Sequence, residues 1–219
     1  MLAELRVHAA SRRDTPPRFR PYLAEAVRSW STGLRQSRAW APHVVLGAGP
    51  LFELPLESLA RTFARVVLVD RAHLSAIRPR LARYGNIERQ WRDLSPATSV
   101  DPLAFLAGIA DLDWVISANL LGSMALAAPA GQHRQVIEDH LAALAALPCP
   151  ATLITDLDYR VFNRHGVVLD SADLMHGRFM PRSGLRWKWE AAPFGADQRH
   201  TRRVHSVAAW PDWREADFG

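Results

Sequence analysis

Five short strand-like runs, four of them mainly apolar and one, residues 87–91, mixed, constrain this chain more than any other feature. Each closes on a glycine, an acid or an asparagine, and helical stretches separate them. Residues 43–46 precede Gly47-Ala48-Gly49-Pro50, and residues 66–69, Val-Val-Leu-Val, precede Asp70. Residues 87–91 end near Asp93, residues 114–117 lead to Asn119, and residues 151–155 lead to Asp156. The continuous, β-branched run 66–69 suits a strand covered on both faces. Strands alternating with helices through short loops predict right-handed crossovers and a doubly wound, mostly parallel sheet.

The intervening helices are expected at 54–63, at 71–84 with a close at Tyr84-Gly85-Asn86, around 101–109, and along Val136, Ile137, Leu141, Leu144 and Leu147 before Pro148. The tail departs from the alternation. Residues 185–190 and 203–210 read as two strands of an antiparallel hairpin at one sheet edge, with Trp187 and Trp189 on one face. Ahead of the alternation, Leu23, Val27, Trp30 and Leu34 recur at steps of four, three and four, a single helical face. That helix is expected to stop near Trp40, because Ala41-Pro42 disfavours further α geometry. The division is therefore an N-terminal helical arm, 1–41, before an α/β domain, 42–219.

Charge follows the same division. The arm carries eight arginines against Glu4, Asp14 and Glu25, and this excess accounts for the whole formal charge of +5. The remainder is balanced, so the charge points to substrate approach or an anionic partner rather than to a basic domain. Nucleic acid is one such partner, reached through the arm. The first six residues lack the apolar stretch of a secretory signal, and no segment has the roughly 18 apolar residues of a membrane span. A soluble, cytoplasmic chain is expected, with no membrane partner.

The single cysteine, Cys149 in Leu147-Pro148-Cys149-Pro150, reads as a buried inert thiol. His133 and His140 are two helical turns apart, too far to chelate one ion, and both are expected at a helix surface. No zinc-ligand spacing, GxSxG elbow or phosphate-binding Walker loop occurs, so no metal site is expected.

In a doubly wound sheet, ligands bind outside the carboxyl ends of the strands. The residues placed there are Gly47, Ala48, Gly49, Asp70, Asp93, Asn119 and Asp156. The glycines allow a tight turn and close approach of a ligand to the backbone. Asp70 stands 21 residues beyond Gly49, near the ~20-residue spacing at which an acid accepts both ribose hydroxyls. Asp93 is suited to an adenine amino group with Leu94 beside the ring, or to an Asx-type turn in Asp93-Leu94-Ser95-Pro96. Asp156 and Asp158, in Asp156-Leu157-Asp158-Tyr159, read as loop acids at the mouth of the cleft.

The order strand–GxG–helix–strand–Asp–helix–strand–Asp, with a polar tip on the fourth strand and a terminal antiparallel hairpin, resembles the class I S-adenosylmethionine-dependent methyltransferases. The likeness runs from about residue 43 to 210. It implies a seven-stranded Rossmann-like sheet whose last strand is antiparallel, and S-adenosylmethionine as cofactor. It implies that Gly47, Ala48 and Gly49 line the methionine moiety, that Asp70 and Arg71 lie at the ribose, and that Asp93 and Leu94 hold the adenine. Asn119, Asp158 and Tyr159 become the polar candidates nearest the transferred methyl group, with Asn119 also beside the cofactor. Val45 stands where the family has an acid and Leu51 where it has a third glycine, and Glu53 is the nearest replacement carboxylate. The Asp/Asn-Pro-Pro-aromatic motif of amino-directed members is replaced by Ser117-Ala118-Asn119-Leu120. Two other readings share the glycine loop: a non-catalytic, degenerate Rossmann-like binding protein and an NAD(P)-dependent oxidoreductase. The acceptor, a small molecule or other anionic substrate, and the oligomeric state are not written in the sequence.

Overall fold

The computed structural model describes residues 41–49, 54–71, 78–95 and 101–216. The expected arm up to Trp40, Leu51 and Glu53 lie outside the described residues.

Five strands form the parallel half of an eight-stranded sheet: β1 (Pro42–Leu46), β2 (Arg65–Asp70), β3 (Ile87–Trp91), β4 (Trp114–Ala118) and β5 (Ala151–Asn163). Along the main path they lie in the order β3-β2-β1-β4-β5. In β1, Val44 and Leu46 pack on one face while Val45 packs on the other, so the run is fully buried, as its continuous apolar character requires. The first face is covered by α3 (Leu121–Ala127) and α4 (His133–Ala145), through Leu121, Ile137, Leu141 and Leu144. The second is covered by α1 (Leu56–Thr62), through Leu56 and Leu59, with Phe63 just beyond it. β3, Ile-Glu-Arg-Gln-Trp, closes one edge with a largely exposed, polar strand. Its Glu88 pairs with Arg65 at 2.8 Å, a charged edge that discourages pairing with another chain.

Short helices occupy the expected crossovers. Of the helix expected over 71–84, residues 72–77 lie outside the described residues and α2 (Arg78–Leu81) falls within the rest. A 3₁₀ helix at Ala104–Gly108 fills the place of the helix expected around 101–109. The helix α3 was not legible: small residues dominate Leu-Gly-Ser-Met-Ala-Leu-Ala, and its caps carry no side-chain signal.

The other half of the sheet is antiparallel. β7 (Leu185–Ala192) and β8 (Thr201–Trp210) form the expected hairpin, with β8 inserted between β5 and β7 and antiparallel to both. Trp189 is buried on the second face and Trp187 packs beside it. Among the described residues, eight strands stand where seven are expected. β5 runs on past its expected end near Asp156 and turns into β6 (Val168–Asp173), which pairs back on it. Polar and apolar residues mix after Asp156, and β6 is almost wholly exposed, so no burial pattern announced either. The turn did carry a local signal. Asn163 accepts the N–H groups of His165 (2.9 Å) and Val167 (3.0 Å) through its side chain, and Gly166 takes φ +79°.

Cys149 is buried, and burial pushes its thiol up to about 11, in keeping with an inert residue. His140 corrects its expected place at a helix surface. It is 4% exposed, and its Nε2 lies 2.9 Å from the Ser117 hydroxyl of β4. Desolvation holds its pKa down at about 4. Between about 6.5 and 4 the unfolded chain takes up a proton that folded His140 refuses. Its contribution is therefore complete above pH 6.5 and lost as pH falls toward 4, with a slope approaching ~1.4 kcal/mol per pH unit. Urea unfolding of wild type and His140→Gln at pH 7.5 and 5 is expected to show a smaller acid loss in the variant. Equal losses would contradict this assignment.

Candidate cofactor cleft

The site starts from the turn that ends β1. Gly47 and Ala48 donate their N–H groups to the Val69 carbonyl, at 3.0 and 3.3 Å, bending the chain over the end of β2. Gly47 takes φ +76°, and a Cβ there would stand 2.6 Å from the Ala118 carbonyl oxygen and 2.7 Å from the Leu120 side chain. Only glycine satisfies both conditions. Gly49, at φ +51°, donates its N–H to Asp70 Oδ2 at 2.8 Å. The acid predicted for a ribose thus also pins the glycine turn.

At the end of β3, Ser95 donates its backbone N–H to Asp93 Oδ1 at 2.9 Å. This is the Asx geometry that the sequence left open beside the adenine role, and it fixes the carboxylate over the strand end. Arg92 sets its guanidinium 4.2 Å from the Phe105 ring centroid. Asn119, at φ +53°, occupies the left-handed region that asparagine tolerates better than most side chains. Its N–H reaches the Ile154 carbonyl at 2.8 Å, and its Oδ1 accepts the Asp156 N–H at 3.4 Å. Asn119 thereby locks β4 to β5 and delivers Leu120 against Gly47.

Around these groups lies a cleft of about 450 Å³, the open space at its mouth included. Gly47, Asp70, Arg71, Asp93 and Leu94 line it, as expected. Ala48 and Gly49 form the turn without contributing to the lining, and Asn119 sits one residue behind the lining residue Leu120. Arg92 and Ser95 flank the predicted Asp93 and Leu94, and were within reach of the same reading. Ser123, Met124 and Ala127 were missed because they ride on α3.

The remaining candidates lie elsewhere. Asp156 and Asp158 are not loop acids: both belong to β5. Asp156 is 7% exposed, with Oδ2 2.8 Å from His205 Nδ1. Asp158 accepts the Ser206 hydroxyl at 2.6 Å. Tyr159 donates its hydroxyl to Asp170 at 3.1 Å, and burial together with that carboxylate raises its pKa above the ordinary phenol value. Asn119, Asp158 and Tyr159 are therefore not gathered with the lining of the glycine cleft.

No protein-family model and no curated protein matches the sequence. Among solved structures, similarity is found to a DhpI-SAM-HEP complex (14% identity, 94% of this chain and 96% of that one, TM-score 0.42). It is also found to an rRNA methylase from Streptococcus thermophilus (12%, 87% and 95%, 0.42) and to the 23S rRNA methyltransferase ErmE (14%, 89% and 70%, 0.37). The strand order is the more direct guide. Dinucleotide-binding Rossmann sheets continue past the fifth strand with a parallel sixth, giving 3-2-1-4-5-6. Here an antiparallel strand, β8, is wedged beside β5 and the edge strand β7 follows it, so the fold is a mostly parallel, Rossmann-like sheet with an antiparallel C-terminal pair.

Proposed function

We propose that the protein is a methyltransferase that uses S-adenosylmethionine, held in the cleft between Gly47, Asp70 and Asp93. One observation carries the reading. The Gly47–Gly49 turn and the Asp70 carboxylate are joined by a 2.8 Å hydrogen bond, so the backbone cradle and the diol-accepting acid are one rigid unit. A nucleoside carrying an amino-acid tail needs both at that separation. The residues fit such a group: the missing Cβ at Gly47 lets the turn pack against the Ala118 carbonyl and Leu120 at the strand end, and Asp70 and Asp93 offer acceptors. Leu94, Leu120 and Met124 supply an apolar wall.

When bound, S-adenosylmethionine supplies an electrophilic methyl group on a sulfonium. Methyl transfer is an in-line displacement, so the protein's contribution is to hold donor and acceptor aligned, roughly 3–3.5 Å apart. Asp70 fixes the ribose and Asp93 with Leu94 orients the base. The Gly47 turn lets the tail approach the backbone, while Asn119 holds the β4 end that faces the acceptor side. No strong base is required for such a step. The antiparallel β8 weighs against an NAD(P)-dependent oxidoreductase, whose fold calls for a parallel sixth strand. Val45, fully buried between Leu68 and Ile116, fills the place of the family's acid and supports the degenerate, non-catalytic alternative. Titration calorimetry with S-adenosylhomocysteine, and with NAD and NADP in parallel, tests the donor-binding half of the reading.

A further inference from the structure

A second, wider cleft of about 1,100 Å³ opens at the start of the β5 extension. It shares a seam with the first. Asn119, which precedes the lining residue Leu120, accepts the N–H of Asp156, and the next two residues, Leu157 and Asp158, line the second cleft. Its floor is apolar: Met175 and Met180 are 2% and 6% exposed. Phe179 stands 55% exposed in its wall, a large ring surface left in water. Three arginines, Arg178, Arg182 and Arg186, complete the lining.

Two carboxylates, Asp158 and Asp173, also line the cleft, which leaves the three arginines in excess by one charge, and both carboxylates are held by other hydrogen-bond donors. Asp158 accepts from the Ser206 hydroxyl, whose oxygen also receives the Lys188 ammonium. Asp173 spends one oxygen on the Met175 N–H at 2.8 Å and the other on the Gly177 N–H at 2.6 Å. Arg186 braces the wall by donating to the Met180 and Pro181 carbonyls, at 3.3 and 2.9 Å. Arg182 is exposed and makes no hydrogen bond or ion pair among the described residues. A planar guanidinium so placed matches carboxylate and phosphate oxygens two at a time.

We infer that this cleft binds a small organic anion, an apolar body of about one ring bearing a carboxylate or phosphate-type group, with Arg182 on the anion and Phe179, Met175 and Met180 on the body. On the methyltransferase reading, on which this role rests, the cleft is the acceptor's subsite, set across the β4–β5 seam from the donor.

The test titrates the full chain with phenyl phosphate, benzoate and neutral benzyl alcohol by calorimetry, with S-adenosylhomocysteine titrated into the same samples. Phenyl phosphate or benzoate is expected to bind saturably, and the tighter of the two identifies the anionic group. Benzyl alcohol is expected to bind at least tenfold more weakly. Arg182→Gln is expected to weaken the anion about tenfold, as loss of a charge-assisted contact does, and Arg182→Glu to abolish it. Both variants should keep the wild-type melting temperature and S-adenosylhomocysteine affinity. Equal binding of benzyl alcohol, or an anion affinity unchanged in Arg182→Glu, would overturn the anion site. Anion binding without any S-adenosylhomocysteine binding would leave the site standing and overturn its acceptor role together with the methyltransferase reading.

Discussion

Gly47→Ala is expected to lower the melting temperature by roughly 6–12 °C and to weaken S-adenosylhomocysteine at least tenfold. Two costs add at this position. An L-residue at φ +76° sits in the left-handed region, which costs about 1–2 kcal/mol. The new Cβ also meets the Ala118 carbonyl oxygen at 2.6 Å, and a backbone atom in the middle of the sheet cannot step aside as a flexible side chain would. Together these reach about 3 kcal/mol, and for a chain of this size each kcal/mol moves the midpoint by about 2–4 °C. Relief by shifting the turn would drag Gly49 away from Asp70, so binding falls with stability. Gly122→Ala is the matched control, because nothing lies within 4 Å of its added Cβ and it sits inside α3. There alanine is expected to be neutral or slightly stabilising. Differential scanning calorimetry of both variants checks the contrast, and equal midpoints would remove the argument that this turn is built around its missing side chain.

Asp70→Ala is expected to weaken S-adenosylhomocysteine ten- to a hundredfold while costing only about 1 kcal/mol of stability, since the two losses differ in kind. Toward the ligand it removes a charged acceptor, worth about 1.5–3 kcal/mol in a charge-assisted hydrogen bond, which is that range of affinity. Toward the fold it removes one partner of the Gly49 N–H, on a partly buried turn that water can reach. Asp70→Asn separates the roles. Its amide oxygen still accepts from Gly49, so stability should return to wild type while affinity recovers only in part. Calorimetric titration of the three proteins reads both quantities. Unchanged affinity in Asp70→Ala would mean that the ribose contact is wrongly assigned.

Four of the five parallel strands, β1, β2, β4 and the start of β5, were readable because they are buried on both faces, and burial on both faces leaves an almost unbroken apolar run; the edge strand β3 is largely exposed. The strand ends were readable for the same reason: a polar residue after such a run marks where the chain leaves the core. Gly47 and Asp70 follow from that rule alone, while Asp93 follows from its place after the third strand in the alternation. Asn119 follows too, but its role does not. Its side chain turns toward the backbone of β5, a contact 37 residues away in sequence with no local trace. The β5 extension and β6 were hidden because backbone pairing, not burial, holds them. His140 was misplaced because its partner, Ser117, sits in a strand where no periodicity announces a buried polar pair. The second cleft has the same origin. Its arginines come from a loop and from β7, and only the unforeseen extension of β5 brings Leu157 and Asp158 to them.

The central claim is that the cleft between Gly47, Asp70 and Asp93 holds an adenosyl ligand, and one titration tests it most directly. S-adenosylhomocysteine, NAD and NADP are added separately to the full-length protein in a calorimeter. The account predicts saturable binding of S-adenosylhomocysteine at one site per chain, and no heat of binding from either nicotinamide cofactor. Saturable binding of NAD or NADP, with S-adenosylhomocysteine silent, would contradict it.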